Sequence, residues 1–243
     1  MYLGFVDLCK SYFIRGPSNE DSHITNSAFH HQYIRGDIQN RGPCPALNAL
    51  ANHGYLPRDG KNMTIQQVEE ALMTSLHQDK ALASAISRPL NQILRPDGTF
   101  DLVDMRRHNY IEHDASLTRL DARQGDNYTF QPAMFQAMLK DARGGPVTVR
   151  SLARSYNRRK KERKADGGVA LPWNLWFVNI VQTVSFLNTA DTGGRLTQDV
   201  MFPFYEEERI PETILNNNNT RTLMGLLIYA AKLMVFIVLG WVT

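Results

Sequence analysis

Residues 42–57 read GPCPALNALANHGYLP. Pro45 has no N–H, and the first position of a helix is where a missing donor costs least, so a helix begins there. Cys44 then becomes its cap, with the N–H groups of Ala46 and Leu47 aimed at the sulfur. The positive end of a helix lowers a thiol pKa and stabilises thiolate. Prolines on both sides, Pro43 and Pro45, hold the residue rigid. The commonest fate of a free cysteine is that of a small buried hydrophobe. Cys9 earns only that reading, whereas the proline clamp and the helix start favour a permanent ligand at Cys44.

Outward from this segment the periodicity is helical. Residues 64–86 read TIQQVEEALMTSLHQDKALASAI, with Ile65, Val68, Ala71, Leu72 and Leu76 at helical spacing and Thr64 with Gln67 forming a capping box. A second helix starts near Pro132, carries Met134, Phe135, Met138 and Leu139, and ends at Gly144-Gly145-Pro146. A third runs from about Thr148 through Leu152 and Tyr156. A fourth covers 175–187, so nearly all apolar that it is expected to be buried. Strand-like alternation is scarce and no repeat is visible, so the expected fold class is all-α with long irregular connections.

The chain has 243 residues, 43% hydrophobic and 21% charged, with a net charge of +3. Disorder, collagen and coiled coil are thereby excluded, and the charge is too mild to argue for nucleic acid. Two cysteines exclude a disulfide-stapled scaffold. The run RSYNRRKKERK at 154–164 reads as a solvated helix face; contact with anionic lipid is the functional alternative. No zinc, helix-turn-helix or aromatic motif accompanies it, so no nucleic-acid partner is expected. The start of the chain lacks a basic segment before its apolar run and makes a poor secretory signal. The end, LMGLLIYAAKLMVFIVLGWVT at 223–243, carries no acid and one base, Lys232. Its length fits a membrane-crossing helix flanked by Arg221 and Trp241. A lysine near the centre costs about 3 kcal/mol there, set against many Leu, Ile, Val and Phe. The expectation is a tail-anchored protein whose body faces the cytosol, divided into a domain at 1–215 and a C-terminal hydrophobic helix at 221–243. A soluble cytoplasmic protein, with that helix packed on itself, is the alternative.

A second cluster, IEHDASLTR, lies at 111–119. Glu112, Asp114 and Ser116 offer hard oxygen atoms suited to Mg²⁺ or Ca²⁺. His113, between two acids, has its imidazolium favoured and suits acid–base work near neutral pH. The bland reading is that Asp114 or Ser116 merely caps a helix.

Together, PCPALNALANHGYLPRDG at 43–60 and EHDAS at 112–116 resemble the two signatures of the fungal heme-thiolate peroxidases, the family of chloroperoxidase and the unspecific peroxygenases. RLTQDVMFPFYEEERIPE at 195–212 is similar to the family's closing helix. The resemblance covers roughly 33–212 and does not extend to the tail. It implies a single all-helical domain around one heme b, with Cys44 on the iron and Pro43, Pro45, Ala46, Leu47 and Asn48 in the cofactor-binding segment. It implies Mg²⁺, or another divalent cation, held by Glu112, the His113 carbonyl and Ser116. The His113 imidazole and the Asp114 carboxylate match the family's distal network. The family also supplies a distal glutamate on an apolar helix. That position falls here on Gln182, or on Thr183 or Ser185 if the register slips, and no glutamate lies between Glu162 and Glu206. Glutamine does not accept and return a proton as a carboxylate does. The implied function is H2O2-dependent oxidation or oxygenation of a small organic substrate, with His113, Asp114 and Gln182 around the peroxide. The alternatives are a non-peroxidatic heme enzyme of secondary metabolism (dehydratase, isomerase or rearrangement) and a heme-binding membrane interaction protein.

Overall fold

The structure is a computed structural model and describes residues 31–239; Cys9, the start of the chain and Trp241 lie outside them. The chain divides into two units, Met1–Gln32 and Tyr33–Thr243. Every element below belongs to the second.

Cys44 caps α1 (Pro45–Asn52), with proline at its first position as the sequence requires. The long periodic stretch is two helices, not one: α2 (Ile65–Leu76) and α3 (Lys80–Ser87). The break falls at His77, which is left-handed (φ 52°) and directs its N–H to Leu72 O. Asp79 then caps α3 by accepting from Leu82 N. Two strong local signals, a C-terminal turn and a fresh N-cap, override continuous periodicity.

Further along come α4 (Pro132–Asp141), α5 (Val149–Ala165), α6 (Trp173–Ala190), α7 (Gln198–Tyr205), the single turn α8 (Glu212–Leu215) and α9 (Leu223–Val238). Short 3-10 segments punctuate the connections, including Leu102–Arg106 and Ala122–Gln124. Among the described residues there are isolated bridges but no named strand, so the all-α expectation holds.

The core gathers the inner faces of these helices. Leu50, Met63, Leu72, Phe100, Met138, Val184 and Leu187 are all buried in it. Helix α6 departs from the expected full burial. Most of its second half is buried, but Gln182 there is exposed; Trp173 is 82% exposed, and Trp176 and Phe177 are also exposed.

The described part of the C-terminal helix gives the membrane expectation no support. Helix α9 packs on α6 and α5 through Leu226, Ala230 and Leu233, one face at helical spacing. Gly225 lies so close to Asn188 that a β-carbon there would meet its Oδ1 at 2.7 Å. The helix has 16 residues, about 24 Å at its rise per residue, against the ~30 Å of a hydrocarbon core. Among the described residues no helix is long and apolar enough to cross a membrane. Arg221 is not an interfacial flank but a buried tie. Its guanidinium donates to the carbonyls of Thr189, Asn217 and Asn219, and its backbone pairs with His77 and Asp79.

The Thr64 cap can be tested by itself. Thr64 Oγ1 accepts from Gln67 N at 3.2 Å while Gln67 Oε1 accepts from Thr64 N at 2.9 Å. Thr64→Ala is expected to lower the free energy of urea unfolding by about 1 kcal/mol without changing the slope.

Candidate active site

Cys44 stands at the start of α1; its sulfur makes no capping hydrogen bond there, and the N–H groups of Leu47 and Ala46 act on its charge. Burial pushes its thiol pKa up; those N–H groups, and then the Arg119 guanidinium, pull it back down. The net direction is upward, so the helix end alone does not generate the thiolate, contrary to the sequence expectation. An electropositive surrounding is nonetheless in place for an anionic sulfur.

That surrounding is braced from a distant part of the chain. Arg119 and Glu208 are both buried, and Arg119 Nη2 pairs with Glu208 Oε1 at 3.2 Å. The same carboxylate oxygen accepts from Asn48 Nδ2 at 2.7 Å, and Glu208 O accepts from Asn52 Nδ2 at 3.0 Å. Asn48 also exchanges hydrogen bonds with both backbone groups of Gly42. Its amide is thereby committed to holding the PCP segment, so Asn48 serves as a brace. Burial raises the Glu208 carboxyl pKa and lowers that of Arg119, and each opposes the shift of the other. Arg119 Nε is shielded from water and has no hydrogen-bond partner. Neither Arg119 nor Glu208 was singled out from the sequence as a site residue. The signal missed was a buried pair 89 positions apart, invisible to any local pattern.

On the second cluster, His113 is 2% exposed. Its Nδ1 lies 2.8 Å from the Asp114 carbonyl oxygen and its Nε2 lies 3.1 Å from Gln182 Oε1. Burial pulls the imidazole pKa down; the Asp114 carbonyl and Gln182 bonds work against that. This reverses the expected imidazolium: the ring is neutral at neutral pH. A carbonyl only accepts, so the proton sits on Nδ1, and Nε2 presents a lone pair. The partner that satisfies a lone pair is the Gln182 NH2, brought round by a half-turn of the amide.

Of the three residues considered on α6, Gln182 is the one whose side chain reaches His113. Thr183 donates to Asn179 O and Ser185 to Gln182 O. Asp114 does not meet the imidazole through its carboxylate. That carboxylate accepts from Ala122 N at 2.9 Å, and Asp114 serves His113 through its backbone carbonyl.

The metal expectation is also changed. Glu112 Oε2 is held by His108 Nδ1 at 2.8 Å, and the Ser116 hydroxyl donates to the His113 carbonyl. His108, Glu112 and Asp114 place ligand-type atoms within 4.8 Å of one another. His108 is another residue missed in sequence, although its i, i+4 spacing to Glu112 could have flagged it. Burial raises the Glu112 carboxyl pKa, and its Oε1 has no partner. The cluster thus holds two carboxylates and an imidazole, with Glu112 Oε1 open, and shows no complete oxygen shell for Mg²⁺.

A pH measurement isolates His113. Its folded pKa lies below the ordinary 6.5, so between those values the unfolded chain binds a proton that the folded one does not. Stability therefore rises with pH across that window and falls as the solution is acidified below about 6.5. His113→Gln is expected to flatten the curve there, the difference approaching about 1.4 kcal/mol per pH unit in urea unfolding. Identical pH dependence of both proteins would contradict a neutral buried ring.

Comparison with known proteins agrees with the two signatures. The family model described as "Peroxidase, family 2" matches residues 30–220. A chloroperoxidase of Leptoxyphium fumago is 32% identical over 119 residues, 43% of this chain and 32% of that protein. An aromatic peroxygenase of Coprinellus radians is 30% identical over 149 residues, 53% of this chain and 56% of that protein. Another, from Cyclocybe aegerita, is 33% identical over 126 residues, 43% of this chain and 32% of that protein. The matched stretches span from about a third to just over half the length of these relatives.

Proposed function

We propose a function from one premise: the chain belongs to peroxidase family 2. The reading is a heme-thiolate peroxidase or peroxygenase that uses H2O2 to oxidise a small organic substrate. The observation that carries it is Cys44, clamped by two prolines at the start of α1 with two N–H groups and a buried guanidinium around its sulfur. Soft thiolate suits iron, and the donors around Cys44 fit a sulfur that would hold heme iron as an anion. A thiolate-ligated heme supplies cleavage of the peroxide O–O bond.

What the chain itself adds is orientation and proton handling. Arg119, Glu208, Asn48 and Asn52 fix the Cys44 segment. On the EHD side, the neutral His113 offers Nε2 as a base, oriented by its Nδ1–H bond to Asp114 O. Gln182 is exposed where His113 is buried, so a proton coming from outside meets the amide first. An amide holds the ring but does not carry the proton. In this reading His113 accepts and returns the proton at Nε2, and Gln182 slows the transfer.

Heme-loaded protein supplied with H2O2 and a small aromatic substrate tests the proposal. Oxidised product that requires both heme and peroxide is expected. A correctly thiolate-ligated protein that forms no product above free heme would reject the function.

A further inference from the structure

A cavity of about 150 Å³ is lined by α5, α6 and the residues just before α6, and reaches Ala115 of the EHDAS segment. Arg163, Lys160 and Tyr156 line it from α5, with Leu171 below and Trp176 and Asn179 from α6. None of the residues around it is acidic. Arg163 is only 8% exposed, and its Nε is shielded from water with no hydrogen-bond partner. The acids nearest in sequence are taken. Glu162 pairs with Arg158 and Arg159, and Asp166 with Arg123. Gly168 backs the arginine so closely that a β-carbon there would meet Arg163 Cγ at 2.5 Å, so the side chain is pinned in place.

A buried N–H without an acceptor is costly, and native structures satisfy nearly all such groups. The missing partner of Arg163 Nε is an acceptor, and Lys160, exposed beside the cavity, adds a second positive charge that favours an anionic one. The Tyr156 hydroxyl oxygen accepts from the Trp176 side chain, which leaves the tyrosine O–H as a further donor at the cavity. The rest of the wall is Asn179 and an apolar part made of Leu171, Ala170, Ala115 and the Trp176 ring. The volume is about that of a benzene-sized ring. We propose that this cavity binds a small organic acid, a ring-sized apolar body with one carboxylate seated on Arg163. Asn179, in the cavity wall, also faces the Asp114 and Ala115 carbonyls at 3.4 Å. Occupancy therefore bears on the loop that orients His113.

Calorimetric titration of the heme-loaded full chain with sodium benzoate, and with uncharged benzamide, tests the site. Benzoate is expected to bind at least tenfold tighter than benzamide. Arg163→Met is expected to lose that preference while melting no lower than wild type without ligand, because it removes a buried N–H that has no acceptor; a purely structural arginine would lower the melting temperature. Lys160→Met, at an exposed position, should weaken benzoate severalfold with the melting temperature unchanged, and it keeps the test decisive if Arg163→Met does not fold. Equal binding of benzoate and benzamide, or unchanged benzoate affinity in both variants, would overturn the proposal. So would accelerated heme loss from Arg163→Met with no benzoate binding to wild type, which would assign the arginine to a carboxylate of the heme.

Discussion

Gln182→Glu is expected to raise peroxide-dependent turnover by on the order of 10²-fold, the lower part of the range general acid–base groups contribute. The side chain at 182 already lies 3.1 Å from His113 Nε2, so a carboxylate there needs no rebuilding of α6. It would do two things. It would give the peroxide side a group able to take and return a proton. It would also place a negative charge against a buried imidazole and so raise the His113 pKa, which burial now holds down. The second effect has its own readout: the acid-side loss of stability attributed to His113 should shrink or vanish, because the folded pKa moves up toward 6.5. A turnover that does not change, with the His113 titration visibly moved, would show that position 182 does not limit proton transfer.

Cys44→Ala has the larger effect. Peroxide-dependent turnover should fall to the level of unligated heme, a loss of on the order of 10³-fold or more, because the ligand that favours O–O cleavage is gone. The fold should survive. Pro45 still begins α1, and the Asn48–Glu208–Arg119 brace does not involve the sulfur. Urea unfolding within about 1 kcal/mol of wild type is the expected control. Substantial turnover retained by a folded Cys44→Ala protein would remove the thiolate from the mechanism.

Much of the framework was legible because it rests on local rules. Pro45 at a first helical position, the Thr64–Gln67 box and the Pro132 start all depend on residues within one turn. The errors came where distant groups decide. Charge patterning around His113 suggested an imidazolium, but burial, which no spacing shows, makes the ring neutral. The helix end at Cys44 suggested a depressed thiol pKa, and again burial wins. The Asp114 carboxylate looked like the partner of His113, yet Ala122 N claims it and leaves the carbonyl for the ring. The apolar run at 223–238 has the composition of a membrane segment, but its Leu226, Ala230 and Leu233 face is matched by apolar surface on α6 and α5. Hydropathy does not distinguish lipid from a neighbouring helix. The Arg119–Glu208 pair, joining segments 89 residues apart, could be found only once the chain was folded.

The central claim is that the Cys44 sulfur holds the heme iron. The most direct measurement is the absorption spectrum of the reduced, CO-bound, heme-loaded protein. A Soret band at the far-red position of thiolate-ligated heme, lost in Cys44→Ala, is the predicted result. A band at the shorter wavelength of nitrogen-ligated heme in the wild type, unchanged in Cys44→Ala, would contradict it.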